Sequence, residues 1–376
     1  MSHGSRTSEK IVTVSDEPSL SNLPLAPPIE PMLAKLARVV PTGEGWWYEP
    51  KWDGFRCLVF RDGDEVYLQS RNLRPLNRYF PEVTAALAPA LPLRCVVDGE
   101  IVVANPEGGL SFDSLTQRIH PAASRVNILA EQTPASFVAF DVLAFDDDRV
   151  LDRPFEQRRA MLHDIVTTAA DVHVTPASDD PDQAQRWFAD FEGAGLDGIV
   201  AKRGEDPYVP GKRTLVKVKH ERTAECVVAG FRVHKDGNGV GSLLLGLFDD
   251  EGTLHHVGVC AGFSVKFRTE LLSEIEPLRE PALDDHPWRG WAEAEAASEG
   301  HMPGAVSRWN AGKNLSWHPL RCQRVLEVTF GQLESGRFRH GVRFVRWRPD
   351  REPASCTYDQ LDVASPVDFA EFVGST

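Results

Sequence analysis

A chain of 376 residues, 42% hydrophobic and 26% charged, carries enough apolar material for two ordinary domain cores. Its six cysteines, at 57, 95, 226, 260, 322 and 356, never form a CxxC pair, which excludes a zinc ribbon and a disulfide framework and fits a reducing compartment. The formal net charge of −14 argues against a nucleic-acid partner only on average, because arginines and lysines dominate 308–351 while 171–195 and 249–299 hold much of the acidic excess.

Residues 1–25 lack the apolar core of a signal peptide and read as a flexible N-terminus, and no later run is long and apolar enough to span a bilayer. A soluble, cytoplasmic protein is expected. After the proline-rich LPLAPPIEP, the stretch PMLAKLA predicts a short helix ahead of the PTGEG turn. The pattern then becomes β-rich: FRCLVF, EVYLQS, RCVVDGEIVVA and FVAFDVLAF are β-branched or alternating runs separated by turn residues. FEQRRAMLHDIV and PDQAQRWFADFEGAG have helical periodicity, and DGIVAKR and TLVKVKH add two strands around 197–220.

Past His220 come five more strands, ECVVAGFRVHKD, GSLLLGLFDD, TLHHVGVCAG, RVLEVTFGQL and GVRFVRW, with one helix near VKFRTELLSEI. Five strands and a helix in this length fit a small Greek-key barrel such as the OB-fold. The expected division is a flexible 1–25, a first domain over 26–220 and a barrel over 221–365. The polar segment DDHPWRGWAEAEAASEGHMPG reads as a loop within the barrel domain.

Chemistry concentrates in an ordered series. EPKWDGFR at 49–56 places Lys51 beside aromatics, Asp53 and Arg56, a setting in which an amine can become a nucleophile. Then follow SRN at 70–72, DGE at 98–100, FVAFD at 137–141, DGIVAK at 197–202 and VKVK at 216–219, each in or beside a predicted strand. Singly, each has a plain structural explanation: DGE as a β-turn, VKVK as an amphipathic strand. Together they suit nucleotidyl transfer. Lys217 and Lys219, two apart on one strand face, can neutralise an α-phosphate, Asp197 and Glu100 are hard oxygen donors for Mg²⁺, and Phe140 offers a flat surface for a base. Arg56 and Arg71 can donate to ribose hydroxyls.

The series resembles the covalent nucleotidyltransferase superfamily of ATP-dependent DNA ligases, RNA ligases and capping enzymes over roughly 29–360. The resemblance implies an α+β fold: an adenylation domain of antiparallel sheets flanked by helices, followed by an OB-fold β-barrel. It implies Lys51 as the residue that takes AMP from ATP, within a catalytic set of Lys51, Asp53, Lys217 and Lys219. It further implies Glu49 reading the adenine amino group, Phe140 stacking on the ring, and Arg56 and Arg71 holding ribose or the nick phosphate. Glu100 would bind ribose or metal, Asp197 metal, and Lys217 and Lys219 the α-phosphate, with Lys202 a further candidate for the nucleotide phosphates. Asp197 stands where Glu is common, and in RFVRWRPDREPASCT at 343–357 Arg351 stands where Lys is usual, while Arg348 and Asp350 match the DNA-ligase C-terminal signature. That signature and SRWNAGKNLSW at 307–317 are similar to short bacterial ATP-dependent ligases of the C type. The implied cofactors are ATP and Mg²⁺ or Mn²⁺, and the implied partner is nicked duplex DNA, delivered through a repair polymerase or an end-binding protein. The chain is expected to act as a monomer, nucleoid-associated in a bacterium. An RNA ligase and an inactive nucleic-acid-binding module are the competing readings.

Overall fold

The structure is a computed structural model that describes residues 20–105, 108–190, 196, 198–280, 286–289, 316–334, 336–361 and 369–374. It divides into two compact units, one comprising 1–218 with 366–376 and the other 219–365. No helix among the described residues is long and apolar enough to cross a membrane.

The first unit carries, in order, β1 (Leu33–Ala37), β2 (Trp46–Pro50), β3 (Phe55–Asp62), β4 (Glu65–Ser70), α1 (Pro81–Ala90), β5 (Arg94–Val102), α2 (Phe112–Arg118), α3 (Ala123–Gln132) and β6 (Ser136–Phe145). It continues with β7 (Asp148–Arg149), α4 (Phe155–Ile165), β8 (Val172–Val174), α5 (Pro181–Asp190), β9 (Ile199–Arg203) and β10 (Arg213–Val218). One sheet runs β4-β3-β5-β6-β7, and a second runs β1-β10-β9-β2. Core positions of β3, β5 and β6, such as Val59, Val97 and Phe137, pack against Val83 and Leu87 of α1 and Leu162 of α4. Burying such side chains stabilises the fold by about 1.5–3 kcal/mol each.

PMLAKLA is not a helix: Leu33–Ala37 forms β1, paired in parallel with β10 from Leu33↔Arg213 to Ala37↔Val218. A seven-residue, mostly apolar stretch fits either state, and a strand partner far along the chain decides it. Residues 20–25, expected to be flexible, are packed instead. Leu20, Leu23 and Leu25 are buried in a core with Phe60 and Leu143, Asn22 is held by Asp62, and Ile29 exchanges two hydrogen bonds with the Gln69 side chain.

The second unit carries β11 (Arg222–Val233), β12 (Val240–Phe248), β13 (Leu254–Ala261), α6 (Val265–Ile275), β14 (His318–Pro319), β15 (Val325–Phe330), β16 (Leu333–Glu334), β17 (Arg337–Phe338) and β18 (Arg343–Trp347). Its sheet runs β13-β12-β11-β15-β18, and a parallel bridge joins Cys260 of β13 to Val342, the residue before β18, bringing the two ends of the sheet together. α6 lies between the third and fourth barrel strands in sequence, with Ser264 capping its start by accepting from Phe267 N–H. This is the OB-fold arrangement expected from the strand count. Most of the polar loop over 284–304, and of 307–317, lies outside the described residues; Trp288 within the first is fully buried. The chain then returns to the first unit as α7 (Phe369–Gly374).

Candidate active site

Lys51 sits where β2 leaves its sheet. The antiparallel ladder with β9 ends at Pro50↔Ile199, and the Lys51 amide extends it by donating to the Gly198 carbonyl at 2.8 Å. The chain then drops onto β5. A Cβ at Gly54 would lie 2.2 Å from the Ile101 carbonyl oxygen, so only glycine allows this close approach. Two residues later Arg56 enters β3 opposite Glu100 of β5. Gly99 serves the neighbouring pair of strands: its Cβ would strike the Phe137 ring at 2.3 Å. DGE is therefore a close-packed strand interior.

Arg56 is fixed by Asp98, Nε to Oδ1 at 2.6 Å and Nη2 to Oδ2 at 2.5 Å, and Asp98 is wholly buried. Tyr208 also donates to Asp98 Oδ2, at 2.6 Å. Burial opposes charge on Arg56, yet Asp98 holds its protonation above the ordinary arginine range. Its guanidinium lies over the Phe140 ring, 4.4 Å from the centroid. Glu100 is pushed up to about 7 by burial, against the pull of Lys51 and Arg56. Lys51, Arg56 and Glu100 thus share one electrostatic environment.

Glu49 marks another edge of the site. It is 3% exposed, pairs with Lys202 at 2.8 Å and lies 3.7 Å from Arg159. Burial raises its protonation range, with Lys202 and Arg159 opposing. Oε1 is a buried acceptor with no hydrogen-bond partner among the described residues, a fitting counterpart for an incoming N–H donor. Lys202 also donates to the Phe140 carbonyl at 3.0 Å and lies 5.2 Å from that ring's centroid. The structure therefore puts Lys202 at the Glu49 and Phe140 end, with its ammonium already engaged. Beneath, Arg158 and Asp141 form a buried fork at 2.8 and 3.0 Å.

Lys217 occupies β10, flanked by Val200 of β9 and Leu36 of β1, in the sheet whose edge strand β2 leads into Lys51. Lys219 lies one residue past the end of β10 and belongs to the second unit. Arg71 is exposed in the turn after β4, next to Ser70, which pairs with Cys57 of β3. Asp53 is half-buried in the turn between Lys51 and Gly54. Asp197 lies outside the described residues; its neighbour Gly198 carries the carbonyl that holds Lys51. In the second unit Arg348 clasps Asp350, Nη2 to Oδ2 at 2.7 Å, and contacts Glu225, whose other oxygen receives Arg351 Nε at 2.6 Å. Sequence reading missed Asp98 as the anchor of Arg56, though it stands in the quoted DGE. It also missed Tyr208, Arg159 and Thr175, whose roles depend on contacts made far along the chain.

A covalent-nucleotidyltransferase core followed by an OB-fold barrel is the architecture of nucleic-acid ligases. The family model described as ATP dependent DNA ligase domain matches residues 31–219, and that described as ATP dependent DNA ligase C terminal region matches 236–351. DNA ligase C of Mycobacterium tuberculosis is 53% identical over 357 residues, covering 93% of this chain and 98% of that protein. The multifunctional non-homologous end joining DNA repair protein LigD of the same organism is 32% identical over 265 residues, covering 69% of this chain and 33% of that protein. Among solved structures, a Lig E DNA ligase superposes with a TM-score of 0.51 at 18% identity, covering 84% of this chain and 99% of that one, a likeness of fold. The chain belongs to the ATP-dependent DNA ligases, of the short bacterial type. Membership in this family implies use of ATP and a divalent metal.

Proposed function

We propose that this ligase seals nicks bearing a 5′-phosphate and a 3′-hydroxyl in duplex DNA through an adenylate on Lys51. The observation that carries the reading is the placement of Lys51 on the Gly198 carbonyl, sharing the electrostatic field of Arg56 and Glu100. In the first step Lys51 Nζ, deprotonated, attacks the α-phosphorus of ATP; a P–N bond forms and pyrophosphate leaves. The 5′-phosphate of the nick then attacks the same phosphorus, the P–N bond breaks, and AMP passes to the DNA. Finally the 3′-hydroxyl attacks the DNA phosphorus, forming the phosphodiester and releasing AMP.

Glu49 Oε1 suits the adenine amino group, Phe140 the ring, Arg56 and Arg71 the ribose or nick phosphate, and Lys217 and Lys219 the α-phosphate. Glu100 is a described carboxylate suited to a divalent metal. Among the described residues no cluster of three or more His, Cys, Asp or Glu could hold one alone, so Asp197 and the nucleotide phosphates would complete the set. A bound Mg²⁺ or Mn²⁺ would neutralise phosphate charge. The relative named as an end joining DNA repair protein supports a repair role, and the same proposal has the chain acting as a monomer on nicked duplex DNA delivered through a repair polymerase or an end-binding protein.

Mass spectrometry of the purified protein tests the core of this reading. An AMP-sized adduct on the Lys51 peptide, discharged by nicked DNA, supports it, and an adduct on another residue overturns it.

A further inference from the structure

The C-terminal helix α7 belongs to the first unit, although the whole barrel separates it from that unit in sequence. Phe369 and Phe372, three apart on one helix face, both meet Trp52, the residue between Lys51 and Asp53. Phe369 stands edge-on to Trp52 at 5.8 Å and 84°, and to His173 at 5.4 Å. Phe372 lies 6.1 Å from Trp52 and 6.3 Å from Trp187. Phe369 and Trp52 are both nearly buried, in one core with Tyr48, Val102, Val138 and Ile199.

Trp52 passes this support onward. Its Nε1 donates to Thr175 Oγ1 at 2.9 Å, the Thr175 carbonyl accepts from Arg159 Nη2 at 3.0 Å, and Arg159 Nη1 lies 3.7 Å from Glu49. A continuous set of contacts therefore runs from the C-terminal helix, past the turn that presents Lys51, to the carboxylate beside Phe140. Aromatic contacts of this geometry are directional, so removing two rings leaves Trp52 room to tilt and disturbs both the turn and the Thr175 bond.

We infer that the C-terminal helix is a positioning element of the adenylation site: Phe369 and Phe372 fix Trp52, and through it Lys51 and Glu49. The inference rests on Lys51 accepting AMP and Glu49 reading adenine. It also means that the barrel's chain is attached to the first unit at both ends, so any cut before residue 366 removes a part of the adenylation site.

Three proteins test it: Phe369→Ala/Phe372→Ala, the conservative Phe369→Leu/Phe372→Leu, and Trp52→Phe, which keeps a ring and loses the bond to Thr175. Lysyl-AMP formation is followed by rapid quench over a range of ATP and, separately, GTP concentrations. The alanine pair is expected to slow adenylation about tenfold and to narrow the preference for ATP over GTP, since small misplacements of reacting groups have effects of this size or more. The leucine pair should recover most of the rate, and Trp52→Phe should narrow the preference in a stably folded chain. A peptide of residues 366–376 added to a chain ended after Leu361 should restore rate. Wild-type rate and preference in the alanine pair, or wild-type preference in Trp52→Phe, overturns the inference. If the alanine pair does not fold, Trp52→Phe and the added peptide decide. Absence of any Lys51 adduct in the wild type overturns the underlying function instead.

Discussion

Tyr208 donates its hydroxyl to Asp98 at 2.6 Å while the same carboxylate takes both prongs of Arg56. One buried acid thus aligns an arginine from β3 with a tyrosine from the β9–β10 connection. Tyr208→Phe should lower stability by about 1–3 kcal/mol, because a buried acceptor loses a donor. Asp98→Ala should lower it by about 3–5 kcal/mol, because the pair is broken at its wholly buried end and both the Arg56 fork and the Tyr208 hydroxyl lose their acceptor. Denaturant unfolding with a common slope measures both, and equal losses would show that the arginine pair adds nothing beyond the tyrosine bond.

Lys51→Ala should abolish lysyl-AMP formation and the sealing of ordinary nicks, while a nick already carrying AMP on its 5′-phosphate is still closed slowly. Only the first two steps use the amine. Radiolabelled ATP and a pre-adenylated duplex separate the two activities, and label retained by the variant would remove Lys51 from its role.

The barrel should lose stability in mild acid through His256. This imidazole is 6% exposed, its Nδ1 accepts from Arg337 Nη2 at 2.5 Å, and the Trp288 ring lies edge-on at 5.5 Å. Burial, then Arg337 and Arg232, push its protonation well below the usual histidine value. Above about pH 6.5 neither the folded nor the unfolded form binds this proton. Below it the unfolded chain takes the proton and the folded chain does not, so stability falls with pH by up to about 1.4 kcal/mol per unit until the folded value is reached. Denaturant unfolding at pH 7.5 and 5.5 should show this slope in the wild type and a shallower one in His256→Gln.

The family was legible in the sequence because its marks come as short ordered motifs on or beside strands, and the helix expected near VKFRTELLSEI is α6, whose helical period is local to the stretch. PMLAKLA was misread because β1 exists only through β10, some 180 positions on by register. WWYEP was missed as a strand for the same reason: β2 pairs with β9, and nothing local in two tryptophans, a tyrosine and a proline announces that. The four arginines 321, 324, 337 and 339, all in the basic stretch, each meet a different partner within the second unit. Arg321 binds the Pro277 carbonyl and Arg324 stacks on Trp347, whereas Arg337 reaches His256 and Arg339 reaches Gln332. Charge runs in sequence do not encode which barrel element each side chain meets.

Arg348 is held by Asp350 and Glu225, Arg351 shares Glu225, and the Arg348 guanidinium keeps the Asp350 carboxyl down at about 2, so the group stays charged throughout the working range. A preorganised cation of this kind suits departing pyrophosphate, which is present only in the first step. Arg348→Ala or Asp350→Ala should therefore slow lysyl-AMP formation at least tenfold, about 1.4 kcal/mol in the barrier, and leave closure of a pre-adenylated nick within a fewfold of wild type. A chain ended after His220 should do worse in both assays, because it loses barrel surface for DNA and the Trp52 support together. Adding the 366–376 peptide to that truncated chain separates the two losses: it should improve the placement of Lys51 without replacing Arg348. Parallel loss of both activities in the point variants would make the Arg348 cluster a structural brace of the barrel and would remove it from the first step.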